Sequence, residues 1–240
     1  MNLEKEQLEA AKKKAASKAV EHVKNGFIVG LGSGSTAAYA IESLGKRIRR
    51  ERLNVLAVPT SYQAFLLAAH HGIPVTTLEE HPVLTVDIDG ADQIDPDLNL
   101  IKGMGAALAR EKIVASASKL KVIIADESKK VKVLGENDQP VPIEVLPFAI
   151  SAVKRKIEAV GGKPSLREGK GKVGPVITDN GNAIIDASFG VIDNVAELEL
   201  KLKMIPGVVE TGLFIGLADT AYVGTAIAVE KIERKKDSSF

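Results

Sequence analysis

The sequence predicts an α/β fold, a mostly parallel sheet flanked by helices, joined by a second, smaller α+β domain. Three observations carry this. From Phe27 onward a short apolar run, a turn and an Ala/Leu-rich stretch recur in the same order. Each run is apolar almost throughout rather than alternating, as strands covered on both faces must be. After about Val131 the rhythm breaks into short runs split by Pro, Gly, Asn and Asp, which suit hairpins better than βα units.

The elements follow in order. "MNLEKEQLEAAKKKAASKAVEHVKNG" reads as an amphipathic helix stopped by Asn25-Gly26. Its lysines interleave with Glu4, Glu6, Glu9 and Glu21, which fits a solvated docking helix and not a nucleic-acid arm. Strand-and-helix pairs come next: "FIVGLG" with "STAAYAIESLGKRIRR", "NVLAVP" with "SYQAFLLAAHHG", "VLTVDID" with "GAALAREKIVASAS", and "KVIIAD" closes the series. In the second part, "QPVPIEVLPFA" precedes one helix-like stretch, "AISAVKRKIEAVGG", and then hairpin-like runs such as "GPVITDNGNAIIDASF". "GVVETGLFIGLADTAYVG" offers a last strand able to rejoin the first sheet. The smaller domain is then an insertion, residues 132–205, inside an α/β domain of residues 1–131 and 206–240. The final "KIERKKDSSF" reads as an element end with a polar tail.

Composition excludes several function classes. Lys and Arg number 32 against 31 Asp and Glu, so no net field points to nucleic acid or an anionic membrane. Without cysteine there is no disulfide, thiolate zinc site or Cys nucleophile, and a reducing, cytoplasmic setting is expected. No segment has the length and apolarity of a signal or a bilayer span.

In an open parallel sheet, ligands bind beyond the carboxyl ends of the strands. The first such turn, "GLGSGST" at Gly30 to Thr36, lacks the third glycine of a dinucleotide fingerprint and the lysine of a Walker loop. It keeps what those loops share: glycines that let the backbone curl, inward amides and a helix N-terminus. Ser33, Ser35 and Thr36 add hydroxyls, so a small phosphorylated or carboxylated ligand fits better than a triphosphate. The alternative is an ordinary turn with a Ser N-cap. "VPTSYQA", at the next strand end, reads as a capped helix start.

The third turn collects five aspartates between Asp87 and Asp97. EF-hand register fails: counting from Asp87, Gly90 is fourth where the loop needs its glycine sixth, and Leu98 is twelfth where it needs Glu. Magnesium on two carboxylates stays open, and the scattered histidines make no transition-metal site. Asp89 and Asp92 are the candidate functional acids, while Asp87, Asp95 and Asp97 read as loop-shaping. Lys102, in "IKGMGAAL", could neutralise those acids or stabilise an oxyanion, or be a surface lysine. Glu111 has Ala107, Leu108, Val114 and Ala115 as helical neighbours, a partly desolvated setting of the kind a general base uses; the alternative is an exposed Glu paired with Arg110 or Lys112.

Taken together, "GSGST", "DGAD", "IKGMGAALAREK" and "ADESKKVKVLG" closely resemble the type A ribose-5-phosphate isomerases. The likeness continues in order through "PVPIEVLPFA", "VITDNGNAIID" and "IPGVVETGLF". The resemblance implies a Rossmann-like, metal-independent aldose–ketose isomerase of the pentose phosphate pathway, without cofactor. It also implies a homodimer or homotetramer. It places substrate and phosphate contacts on Ser33, Gly34, Ser35, Thr36, Asp89, Gly90, Ala91, Asp92, Lys102, Gly103, Met104, Gly105 and Lys129. Glu111 would be the catalytic base; for opening the sugar ring the candidate is Asp89, helped by Asp92 or a water. Met104 departs from the family's usual glycine, and Ser33 from its threonine. A sugar-phosphate-sensing module of related fold is the rival; no helix-turn-helix segment or basic patch supports it. Neither an aminosugar-phosphate deaminase nor a CoA transferase explains the whole ordered set.

Overall fold

A computed structural model describes residues 3–171 and 173–235. The helices are α1 (Leu3–Val20), α2 (Ser35–Glu51), α3 (Tyr62–His70), α4 (Leu108–Ala117), α5 (Ile150–Ala159) and α6 (Val195–Lys203). The longer strands are β1 (Ile28–Leu31), β2 (Leu56–Pro59), β3 (Leu84–Gly90), β6 (Ser118–Asp126), β7 (Val141–Val145), β8 (Lys163–Leu166), β9 (Ala183–Ser188), β10 (Val208–Thr211), β12 (Thr220–Gly224) and β13 (Val229–Glu233). Between them lie the two-residue strands β4 (Gln93–Ile94), β5 (Leu100–Ile101) and β11 (Leu213–Phe214). The helix predicted on "GAALAREK" begins at Leu108, and residues 236–240 of the polar tail lie outside the described residues.

The chain forms two compact units: residues 1–91, 110–130 and 216–240, and residues 92–109 and 131–215. Segments 92–109 and 206–215 thus group with the second unit, whereas the sequence reading assigns them to the first. Their strands explain it: β4 and β5 pair with each other, β11 pairs with β5, and β10 pairs with β7.

In the first unit a six-stranded sheet has the order β13-β12-β6-β3-β1-β2. It is parallel except for β13, antiparallel at one edge. The period-two alternation of strands divides its two faces. Val29, Leu31, Val86, Ile88, Val122 and Ile124 point into a core shared with α1, α2 and α3. Val58 points to the opposite face and packs with Val114 of α4, as does Leu84 at the start of β3, and Asp87 and Asp89 alternate with Val86 and Ile88 and so project to this second face.

Helix α1 is less solvated than its charges suggest. Ala11, Ala15, Ala16 and Ala19 are fully buried, and the small side chains let backbones meet: a Cβ on Gly224 of β12 would collide with the Ala11 backbone. An Ala stripe buries little apolar area per residue, so close approach and the dispersion contacts it allows are what hold this helix down.

The second unit contains an antiparallel sheet of order β10-β7-β9-β8 and the small sheet β11-β5-β4. Val141, Ile143, Val145, Ala183 and Ile185 meet Val153 and Ile157 of α5 and Leu202 of α6. On the other sheet face the buried Glu144 Oε1 accepts from Thr178 Oγ1 (2.9 Å), Asn180 Nδ2 (3.0 Å) and Asn182 Nδ2 (2.8 Å), which ties the β8–β9 connection to β7. Pro164 sits on β8, an edge strand, where a missing N–H is tolerated.

Candidate active site

The carboxyl ends of three adjacent strands, β6, β3 and β1, gather most of the predicted site residues of the first unit. At the end of β1, Gly32 N donates to Ile88 O (3.0 Å) and continues the ladder. A Cβ here would collide with the Asp89 side chain, so the close passage of β1 past β3 requires glycine. Gly34 then takes φ +96°, the left-handed region, and serves as N-cap of α2 without a side-chain acceptor. The Ser N-cap weighed from the sequence is therefore replaced by glycine. The first amides of α2, from Ser35 and Thr36 onward, receive no capping side chain from Gly34, the arrangement that favours an anion at a helix N-terminus.

The turn is braced by residues that the sequence reading treated as a plain helix start. Ser33 Oγ lies 2.8 Å from Thr60 Oγ1 and donates to Ser61 Oγ (2.6 Å), while Gly34 N donates to Gln63 Oε1 (2.8 Å). Ser61 also caps α3 by accepting from Ala64 N (3.1 Å), as the "VPTSYQA" pattern predicts. The hydroxyl pair at this strand end was the available signal for Thr60 and Ser61. Gln63 had none.

At the end of β3, Asp89 is 1% exposed. Its Oδ1 accepts from Ser33 N (3.1 Å) and Gly90 N (2.7 Å), which fixes the plane of the carboxylate and links the β1 and β3 turns. Asp87 does not shape the loop, as expected, but lies inside β3 and is equally buried. A Cβ on Gly30 would lie 2.5 Å from both Asp87 Oδ1 and Val114 Cγ1, so α4 crosses the sheet directly above this level.

That crossing locates Glu111. Helix α4 connects the parallel neighbours β3 and β6, and so runs antiparallel to both. Glu111 precedes Val114 by three residues on the same helix face, an advance of about 4.5 Å, against about 6.6 Å for two residues of strand. As Val114 stands over Gly30 and Asp87, Glu111 lies one helical step nearer the carboxyl ends of the strands, towards the level of Gly32 and Asp89. It is 4% exposed, which removes the solvent-exposed alternative. At the end of β6, Asp126 Oδ1 accepts from Ser128 N (3.0 Å) and caps a 3-10 turn, Glu127–Lys129, that presents Lys129.

The remaining predicted residues belong to the second unit. Lys102 is 3% exposed, not a surface lysine, and its Nζ lies 5.3 Å from the Phe214 ring centroid. Asp92 Oδ2 accepts from Met104 N (3.0 Å), so this acid orders the Lys102–Gly105 turn. Asp95 accepts from Asp97 N (2.9 Å) and Asn99 N (2.8 Å), the turn chemistry read from the sequence. Met104 is half exposed, with Sδ 3.8 Å from Arg167 Nη2.

Comparison with known proteins decides the family. A family model for ribose 5-phosphate isomerase A (phosphoriboisomerase A) matches residues 56–227. The chain belongs to the ribose 5-phosphate isomerase A family. Ribose-5-phosphate isomerase A of Methanothermobacter thermautotrophicus is 54% identical over 215 residues, 90% of this chain and 94% of that one. The solved ribose 5-phosphate isomerase A of Methanocaldococcus jannaschii is 46% identical, with a TM-score of 0.90 over 94% of this chain and 99% of that one. A D-ribose-5-phosphate isomerase solved with phospho-erythronic acid is 46% identical, with a TM-score of 0.92 over 98% of this chain and 100% of that one. These likenesses bear out the family and the α/β fold expected from the sequence.

Proposed function

We propose that this ribose 5-phosphate isomerase interconverts D-ribose 5-phosphate and D-ribulose 5-phosphate with Glu111 as the base. The observation that carries the assignment is the burial of Glu111 on α4, the helix that covers the sheet face bearing Asp89 of β3. The anionic end of the sugar binds the glycine turn, through Ser33, Gly34 and the first amides of α2 at Ser35 and Thr36, with Lys129 adding positive charge. Asp89, held by two amides, moves a proton between the anomeric hydroxyl and the ring oxygen, and the ring opens. Gly90 and Ala91 supply backbone beside the sugar.

Glu111 then removes the C2 proton of the open aldose, leaving a cis-enediolate with its charge on O1. The O2 proton passes to O1, and Glu111 returns a proton to C1, giving the ketose. Lys102 contributes the positive charge that stabilises the enediolate, and the backbone of Gly103, Met104 and Gly105 contacts the sugar. Asp92 assists by holding the Met104 amide. All of these roles use groups of the chain itself.

A cytoplasmic homo-oligomer, a dimer or a dimer of dimers, completes the reading. The absence of cysteine supports the compartment, and the exposed Phe148, Leu200 and Met204 of the second unit support a contact surface there. Light scattering on the purified protein measures the oligomer directly.

The deciding experiment is incubation with ribose 5-phosphate in deuterated water containing EDTA. Ribulose 5-phosphate carrying deuterium at C1 is expected. Absence of turnover would favour a sensing role, and turnover abolished by EDTA would refute metal-independent proton transfer.

A further inference from the structure

The side chain of Arg167 reaches the Lys102–Gly105 turn from another part of the second unit. Its backbone continues the β8 ladder, with Arg167 N donating to Ile184 O (2.9 Å) and Val176 N donating to Arg167 O (2.8 Å). The guanidinium holds Asp186 of β9 through two bonds, Nε to Oδ2 (2.7 Å) and Nη2 to Oδ1. With side chains 12% and 20% exposed, this is a bidentate pair largely withdrawn from water. The remaining face of the fork is spent on backbone: Nη1 donates to Gly103 O and to Met104 O, both at 2.9 Å.

Two successive carbonyls turned to one cation fix more than themselves. In a trans peptide the N–H points opposite the C=O of the same plane. With Gly103 O on Arg167, the Met104 amide must face away, and Asp92 receives it. With Met104 O on Arg167, the Gly105 amide is also sent away from the guanidinium. The turn is anchored before this point by Lys102 N donating to Gly212 O (2.9 Å), and after it by Ala106 N donating to Gly103 O (2.9 Å). Gly103 itself has φ +106°, and a Cβ there would meet Leu108 and Pro142, so no other residue relaxes into this conformation.

We infer that Arg167, locked by Asp186, is a positioning residue for catalysis: by holding the carbonyls of Gly103 and Met104 it aims the backbone amides of the turn that follows Lys102. The inference rests on the reading of that turn as part of the active site. An arginine is required because a lysine is a point donor and cannot bond a carboxylate and two carbonyls in one plane.

The test is steady-state kinetics of Arg167→Ala, Arg167→Lys, Asp186→Asn and Lys102→Ala, with thermal unfolding of each. Arg167→Ala is expected to lower kcat roughly 10- to 100-fold while KM stays within about threefold, because a misaimed turn costs mainly transition-state contacts. Added guanidinium ion should restore part of the lost rate in Arg167→Ala, a response that loss of folding alone does not give. Arg167→Lys should lose at least about fivefold although it keeps the charge, and Asp186→Asn should fall between it and wild type. If Arg167→Ala does not fold, Arg167→Lys and Asp186→Asn decide. A folded Arg167 variant with wild-type kcat, beside an impaired Lys102→Ala, would overturn the positioning role alone. Unchanged turnover in Lys102→Ala would overturn the reading of the turn, and this inference with it.

Discussion

The carboxylate of Asp89 occupies the space that a Cβ on Gly32 would need. The strand ends carrying the glycine turn and Asp89 are thus packed backbone to side chain, with no slack. Gly32→Ala is expected to destabilise the protein by about 1–3 kcal/mol in urea denaturation, the cost of overpacking. Activity should fall further than stability explains, because Asp89 must move. A stable, fully active Gly32→Ala would show that the two strands separate freely.

Glu111→Gln keeps the shape of the side chain and removes the carboxylate proposed as the base. Turnover should drop roughly 100- to 10,000-fold with substrate binding retained. Near-wild-type turnover would transfer the proton step to another group.

Lys129 stands on a capped turn at the end of β6, and the role proposed for it is to add positive charge at the anionic end of the sugar. Losing a charge-assisted bond worth about 1.5–3 kcal/mol should raise KM roughly 10- to 100-fold in Lys129→Ala. An unchanged KM with reduced kcat would instead give this lysine a role in the chemical step.

His22 Nε2 lies 2.8 Å from Tyr222 Oη, and burial first, then the charge of Lys231, push its pKa below the ordinary 6.5. As pH falls through 6.5, the unfolded chain takes up a proton that folded His22 still refuses. Stability contributed by neutral His22 is therefore complete above that value and declines below it. Thermal midpoints measured at about pH 7.5 and about pH 5.5 should differ less in His22→Gln than in wild type. An equal drop in both would assign the acid sensitivity elsewhere.

The main sheet was legible in the sequence because doubly covered parallel strands must be written as apolar runs, and the helices between them supply the rhythm. Helix α6 escaped because "LELKLK" alternates with period two, like a strand; only Asn194, whose side chain accepts from Glu197 N (3.1 Å), marks its start. Asp87 was misplaced because a buried strand acid and a loop acid look alike in sequence. The hydroxyl, glycine and carboxylate positions of the candidate site stand out in the sequence because turn chemistry marks strand ends. Arg167 was not, since its partners at the turn are carbonyls, which every residue has, contributed by residues distant in the chain.

The order of strands in the six-stranded sheet has a consequence for synthesis. Strand β6 lies between β3 and β12, and every residue from 131 to 215 is translated between β6 and β12. While the ribosome makes that stretch, Val122 and Ile124 belong to a strand whose second edge is bare. A bare apolar edge invites pairing with another nascent chain. Helix α1 contacts β6 as well as β12, so it is available to shelter part of this strand in the interval and then to receive β12 when Gly224 closes against Ala11.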